Sequence, residues 1–196
     1  LWYMDEEDEN HNPTGKRVTT NDYGSADYYY VNKSSLPKVY GGFNTSLSWK
    51  GFDLSAIFAY SIGGYIYNRD ITMILHNGSL EGRDWSTEIL KRWTPDNRNT
   101  DVPALSTTTN NWNSASTRFL QNNSYMRLKN LTLSYNLPKQ WISKLSLSSV
   151  QVYVQGDNLF TIHRNQGLDP EQGITGITYY RYPAMRTISG GINVSF

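Results

Sequence analysis

The residues best suited to metal chemistry lie near the start of the sequence. Positions 5–9 are all acidic, and Asn residues follow at positions 10 and 12. Carboxylate and amide oxygens are the ligands that Ca²⁺ prefers. Asp5 and Asp8 are therefore weak candidates for a calcium site, and no other metal or cofactor is expected. A solvated acidic loop is the simpler explanation of such a charge run.

No residues are spaced as a catalytic constellation. Asp169 and Glu171 flank Pro170 and match in type the paired carboxylates of a glycosidase. The three His residues are far apart in the sequence, and the chain has no Cys. A cysteine nucleophile and a thiolate metal site are therefore excluded, and any Ser–His–Asp triad would be an arbitrary choice. The sequence predicts a protein that is not an enzyme.

Aromatic residues concentrate in the long segments that separate the alternating runs described below. Aromatic faces stack on sugar rings and anchor protein interfaces. Packing of the loops on each other is the alternative role. Between two of these aromatics, residues 86–93 could form a short helix that Ser86 caps. The candidates for contact with a substrate or a partner protein are Trp85, Trp93, Trp112, Tyr179, Tyr180 and Tyr182.

Composition narrows the class of protein. The 196 residues have a formal net charge of +1, and 18% of them are charged, against about 25% in ordinary soluble domains. With no basic block, the chain is a poor candidate for binding nucleic acid. Aromatic residues make up 14% of the chain, which argues against global disorder. No stretch of about 18 apolar residues occurs, so no transmembrane helix is predicted.

Alternation of apolar and polar residues predicts β-strands. Around the turn at Lys50 and Gly51 the alternation changes parity, as in a β-hairpin. The phase also changes beside Asn130, which predicts a β-bulge. The predicted strands cover residues 40–50, 52–62, 122–137, 148–160 and 186–196.

The polar face of these runs is rich in Ser, Thr, Asn and Gln rather than in charged residues. That pattern favours a transmembrane β-barrel with lipid on one side, although a β-sandwich gives the same alternation. Short and long connections also alternate, as in an outer-membrane barrel. Five strands cannot close such a barrel, so we expect a piece of a larger one, and the start at Leu1 fits a chain that begins inside a longer protein.

Two sets of residues have specific roles if the strands cross a membrane. The apolar side of the last strand ends in an aromatic residue and resembles the signal that the outer-membrane assembly machinery recognises. That set is Ile188, Ile192, Val194 and Phe196. Aromatic residues near strand ends predict belts at the lipid interface, with core packing of a sandwich as the alternative. Those residues are Phe43, Trp49, Phe52, Tyr60, Tyr135 and Phe160.

An ordered set of motifs resembles one family, the SusC/RagA-type TonB-dependent outer-membrane transporters. Residues 124–138 resemble that family's segment YLRLKNITLGYTLP, and residues 150–161 resemble LRVYVSGENLFT. Residues 167–171 match GLDPE, and residues 182–196 resemble the closing YPxPRTFTFGLNLTF. Residues 35–54 resemble PKxxGGFxxxxxYKGFDL. Each motif alone is weak, but their order over most of the chain is specific.

The resemblance implies an all-β fold: the C-terminal antiparallel strands of a transmembrane barrel of about 22 strands with long extracellular loops. Residues 1–39 would be an extracellular loop segment and residues 40–196 the barrel part, with the signal peptide, plug and earlier strands absent from this sequence. Many relatives carry a glycine-containing Asp-x-Asn-Gly-Asp-Gly element near the acidic run, and the glycines are missing here.

The same resemblance implies a function in the Gram-negative outer membrane. The whole protein would import oligosaccharides or peptides with a SusD-like surface lipoprotein. It would receive energy from the TonB complex through its missing N-terminal part. A secreted all-β carbohydrate-binding or adhesion module is the alternative.

Overall fold

The computed structural model describes residues 2–76, 80, 82–106, 113–167, 169–171 and 173–196. These residues divide into two compact units, each described by itself. One unit comprises Leu1–Lys33, Tyr67–Leu120 and Ile177–Tyr180, and the other comprises Ser34–Ile66, Gln121–Gly176 and Arg181–Phe196.

The second unit is built on one antiparallel sheet of five long strands. Its strands are β3 (Pro37–Trp49), β4 (Phe52–Gly63), β7 (Tyr125–Asn136), β8 (Ser149–His163) and β10 (Thr187–Ser195). Their order across the sheet is β10-β8-β7-β4-β3. The predicted all-β antiparallel fold is thus confirmed. The strands begin and end within three residues of the predicted bounds. In the part of the chain that the structure describes, no further strand pairs with the outer strands β10 and β3 of this sheet.

Register places the predicted alternation on two distinct faces of this sheet. Leu54 lies opposite Leu133, which in turn lies opposite Val154. On the other face Ser55 pairs with Thr132, and Thr132 with Gln155. We call the face of Leu54 the apolar face and the face of Ser55 the polar face.

A bulge in β7 keeps the apolar residues of both halves of that strand on one face, as the sequence predicted. Against β4, Ile57 lies opposite Asn130 and Phe58 lies opposite Leu128, which leaves Lys129 without a partner in the ladder. The pairing with β8 shifts at the same point of β7. Lys129 is therefore the extra residue of a bulge.

The two short connections lie at the same end of the sheet. β3 and β4 are joined through Lys50 and Gly51, whose φ angles are 47° and 87°. Glycine relieves the strain that any Cβ would add in this left-handed region. β7 and β8 are joined through helix α2 (Lys139–Ile142) and the 3₁₀ helix Ser143–Leu145.

The first unit contains a hairpin and short elements. Its hairpin pairs β1 (Trp2–Glu7) with β2 (Pro13–Thr20) in antiparallel register. The remaining elements along the chain are β5 (Tyr65–Asn68), α1 (Arg69–Ile74), the 3₁₀ helices Thr87–Lys91 and Thr117–Phe119, β6 (Leu120–Asn122) and β9 (Ile177–Thr178). Of these, β5 and β6 contribute residues to both units. Tyr67 and Asn68 pair in parallel with β9. Among the described residues, no helix has the length and hydropathy needed to span a membrane.

Candidate functional site

Side-chain hydrogen bonds connect neighbouring strands on the polar face. Near the short connections, Asn136 donates to Asp53 at 2.7 Å, and Asn193 donates to Gln151 at 3.2 Å. Halfway along the strands, Asn130 donates to Asp157 at 2.8 Å. Amide and carboxylate groups of this kind satisfy one another and also hydrogen-bond water. The face is therefore suited to line a wet compartment.

At the opposite end of the sheet the polar face holds a charged cluster. Arg127 donates to Asp169 at 2.5 Å, to Glu171 at 2.9 Å and to Thr161 at 2.9 Å. Lys129, released from the ladder by the bulge, contacts Glu171 at 2.5 Å. The side chains of Arg127 and Asp169 are only 4% and 8% exposed. The cluster fixes the segment after β8 to the polar face.

Backbone contacts also hold Asp169. Its carboxylate accepts hydrogen bonds from the backbone N–H groups of Ala184 at 2.6 Å and Glu171 at 2.9 Å. Burial alone raises the pKa of Asp169. These two N–H donors and the Arg127 guanidinium outweigh burial and hold the pKa below its usual range. Asp169 is therefore ionised at neutral pH and is a structural carboxylate rather than the raised-pKa acid that a glycosidase needs.

The same segment is tied down at two further points. The amide of Asn123 donates to the carbonyl of Pro170 at 2.9 Å, and the hydroxyl of Ser35 donates to the carbonyl of Ile174 at 2.8 Å. These hydrogen bonds and the ion pairs of Asp169 and Glu171 together hold the segment after β8 against the polar face of the sheet.

Part of the apolar face is exposed within its unit. Leu54, Leu133 and Val154, which lie side by side on three neighbouring strands, are 39%, 43% and 48% exposed. A sandwich would bury this row beneath a second sheet. The six predicted interface aromatics all lie on this face. Phe43 and Phe58 stack at 4.7 Å between ring centroids, Phe52 and Tyr135 contact at 4.5 Å, and the Tyr60 side chain covers Gly41.

The last strand lies at one edge of the sheet with its apolar side outward. Ile188, Ile192 and Val194 are 72%, 64% and 45% exposed, and Phe196 is 92% exposed. The predicted alternation is present in the pairing with β8. Ile188, Ile192 and Val194 each lie opposite a β8 residue of the apolar face, and Phe196 continues the same alternation. Their role in assembly stays a prediction.

The tryptophan candidates Trp85 and Trp93 make contacts within their own segment. The indole of Trp85 donates to Nδ1 of His76 at 3.2 Å, and the backbone N–H of Trp93 donates to Val102. These contacts favour packing within the loop. The predicted helix beside them is the 3₁₀ helix Thr87–Lys91, capped by the Ser86 hydroxyl at 3.3 Å from the Glu88 nitrogen.

The tyrosine candidates divide between the two units. In the first unit the rings of Tyr179 and Tyr180 contact each other at 4.0 Å between centroids, and the Arg69 guanidinium lies 4.7 Å from the centre of the Tyr179 ring. Tyr182 belongs to the second unit and is 98% exposed. Trp112 lies outside the described residues. Substrate or partner contact by these residues remains a prediction.

The acidic run spans the end of β1 and the turn that follows it. Asp8 accepts from the backbone nitrogens of Asn10 and Asn12 at 2.8 and 2.9 Å, and these bonds lower its pKa. Asp5 accepts from the Tyr29 hydroxyl at 2.9 Å. In the described part of the chain, no three His, Cys, Asp or Glu residues meet as a metal-binding group. The weak calcium hypothesis for Asp5 and Asp8 therefore gains no support.

Sequence reasoning missed the role of Arg127 and Lys129. The available signal was the presence of two cations on a strand whose polar face is otherwise uncharged. Their carboxylate partners lie more than forty positions away, so the spacing along the chain could not reveal them.

The chain was compared with protein-family models and with proteins of known class. No family model matches the chain. It is 35% identical over 166 residues to the TonB-dependent receptor P3 of Formosa agariphila, a match covering 79% of this chain and 16% of that protein. It is 27% identical over 198 residues to the TonB-dependent receptor SusC of Bacteroides thetaiotaomicron, covering 99% of this chain and 19% of that protein.

Solved structures agree with these sequence matches. The RagAB peptide importer in its closed-closed state aligns with a TM-score of 0.78 and 34% identity, over 97% of this chain and 20% of the matched chain. Its open-open state aligns with a TM-score of 0.78 and 35% identity, over 91% of this chain and 19% of the matched chain. The chain thus spans about a fifth of the length of the proteins it matches.

Proposed function

Because the chain belongs to the SusC/RagA-type TonB-dependent transporters, we propose that it forms part of the wall of an outer-membrane β-barrel that imports nutrients. The observation that carries this proposal is the two-faced sheet. Its apolar face exposes the row of Leu54, Leu133 and Val154, its polar face carries a network of hydrogen-bonded side chains, and among the described residues both outer strands have an unpaired edge. Open edges call for further strands, which the rest of a barrel supplies.

The orientation of the wall follows from its connections. The turns at residues 50–51 and 137–148 would face the periplasm, because outer-membrane barrels have short periplasmic turns and long extracellular loops. Residues 1–39, 63–121 and 163–185 would then lie at the cell surface. The six aromatics of the apolar face would lie at the lipid interfaces. Phe196 would belong to the strand that the outer-membrane assembly machinery recognises.

The whole protein would act with partners beyond this sequence. We propose import of oligosaccharides with a SusD-like surface lipoprotein, driven by the TonB complex through the absent part of the protein. The relative named SusC and the RagAB importers support the transporter class. RagAB is a peptide importer, so peptides are the competing cargo.

Single-cysteine labelling tests the orientation of the two faces directly. This chain has no Cys, so Val154→Cys and Gln155→Cys would each add one thiol to adjacent, opposite-facing positions of β8. In intact outer membranes, in a full-length protein freed of any other exposed Cys, a water-soluble maleimide should label Gln155→Cys, and lipid should protect Val154→Cys. Val152→Cys and Tyr153→Cys repeat the comparison one pair away. Equal labelling of both faces would contradict the barrel wall and favour a secreted module.

A further inference from the structure

A cleft of about 340 Å³ opens between the charged-cluster end of the sheet and the segment fixed above it. Its floor comes from β3, β4 and β7, and its roof comes from Pro170, Gly173 and Ile174.

The floor contains one row of hydroxyl groups that crosses three strands. Tyr40 lies opposite Ser61, and Ser61 lies opposite Tyr125. The two tyrosines are thus two strand spacings apart, about 9.5 Å between backbones. Because the residue between them is small, the row forms a trough with an aromatic side chain at each end.

The cleft is formed before any ligand arrives. Its roof is held by the hydrogen bonds from Asn123 and Ser35, and Asp169 and Glu171 are anchored on Arg127 beside it. A binding site whose walls are already ordered loses little conformational entropy when it is filled. The fixed segment therefore serves as a preorganised wall.

The chemistry of the lining selects a neutral, hydroxyl-rich ligand. None of the described lining residues is charged, and the adjacent cations Arg127 and Lys129 are paired with Asp169 and Glu171. Among the described residues, none hydrogen-bonds the hydroxyls of Tyr40, Ser61 or Tyr125. Hydroxyls both donate and accept, as sugar hydroxyls do, and a tyrosine ring adds an apolar face for stacking.

We propose that this cleft is a carbohydrate subsite, in which Tyr40, Ser61 and Tyr125 contact a neutral oligosaccharide during import. The inference rests on the proposed transport function and adds the residues that contact the cargo. A charged peptide would leave its charges without partners here, at a cost in desolvation.

Binding by the full-length transporter with its lipoprotein tests the subsite. The probes are neutral hexose oligosaccharides of several linkages and, separately, a pool of peptides of mixed sequence. We expect Tyr40→Ala and Tyr125→Ala to weaken oligosaccharide binding about tenfold or more. Tyr40→Phe and Tyr125→Phe preserve the rings and should cost about threefold to tenfold, since they remove only hydroxyl hydrogen bonds.

Tyr28→Ala is the matched control, because Tyr28 is 93% exposed and lies in the other unit. Unchanged oligosaccharide binding in the Tyr40 and Tyr125 variants would overturn the subsite while leaving the transport proposal standing. Peptide binding that these variants abolish would overturn the ligand class. If the wild-type protein binds neither probe, the proposed cargo import fails, and the subsite fails with it.

Discussion

Removing Arg127 or Asp169 will free the segment after β8 from the polar face. The two side chains are 4% and 8% exposed and 2.5 Å apart. Loss of one partner from a buried ion pair costs about 3–5 kcal/mol because the other charge stays buried. Glu171 remains beside Arg127 in Asp169→Asn, and Lys129 remains beside Glu171 in Arg127→Met. We therefore expect about 2–3 kcal/mol for each single substitution.

Hydrogen exchange of the full-length protein measures this loss locally. The reporter is the backbone N–H of Ala184, which donates to Asp169 at 2.6 Å. Its exchange in Arg127→Met should accelerate about 30-fold to 150-fold, which corresponds to that loss of free energy. Arg127→Met keeps the acceptor for Ala184, so the acceleration reports release of the segment rather than loss of one hydrogen bond.

A double-mutant cycle decides whether the two residues act together. The double variant Arg127→Met/Asp169→Asn should be less destabilised than the sum of the single variants, with a coupling of at least about 1.5 kcal/mol. The pair Lys91 and Glu88 provides the control, since its side chains are 66% and 40% exposed at 2.7 Å. Its coupling should stay between about 0 and 1 kcal/mol. Equal coupling in the two pairs would refute the argument from burial.

Three further predictions concern other parts of the chain. Val154→Arg should destabilise the inserted barrel by about 2–4 kcal/mol, and Gln155→Arg should destabilise it by much less. Urea unfolding in lipid measures both losses, and equal losses would contradict the assignment of faces. Burial holds the pKa of His76 below its ordinary 6.5, so the unfolded chain takes up the proton first as pH falls. The free energy of unfolding of the loop that holds His76 should therefore decrease below about pH 6.5 and level off below the folded-state pKa. Trp85 fluorescence would follow this unfolding, and the pH dependence should vanish in His76→Gln. Deletion of Phe196 should reduce outer-membrane insertion in a heat-modifiability assay, and unchanged insertion would exclude a signal at this residue.

Alternation was enough to predict the five long strands, because register locks each side chain to one face. The phase change near Asn130 even located the bulge, since a single extra residue is the smallest correction that restores both patterns. The hairpin of β1 and β2 was not predicted, because the exposed acidic run in β1 gives no clean alternation. Its strands are held instead by backbone pairing and by contacts such as that of Tyr29 with Asp5.

The candidate site was harder to predict than the fold. Aromatic residues such as Trp85 drew attention by type, yet Trp85 is engaged with His76 inside its own loop. The row of Tyr40, Ser61 and Tyr125 combines residues from three strands. Such a row emerges only after the register is known, and the segment that roofs it is positioned by ion pairs between distant residues.

The bulge at Lys129 also determines how the strand tolerates changes of length. If Lys129 were deleted, Asn130 would follow Leu128 directly and the alternation of β7 would run unbroken, so every other side chain would keep its face. Deletion of Thr132 would instead turn one half of the strand over, placing Arg127 and its neighbours on the opposite side. Among related sequences, single-residue deletions in β7 should therefore concentrate at this one position. Such a deletion would remove the contact with Glu171 and leave the faces of the sheet unchanged.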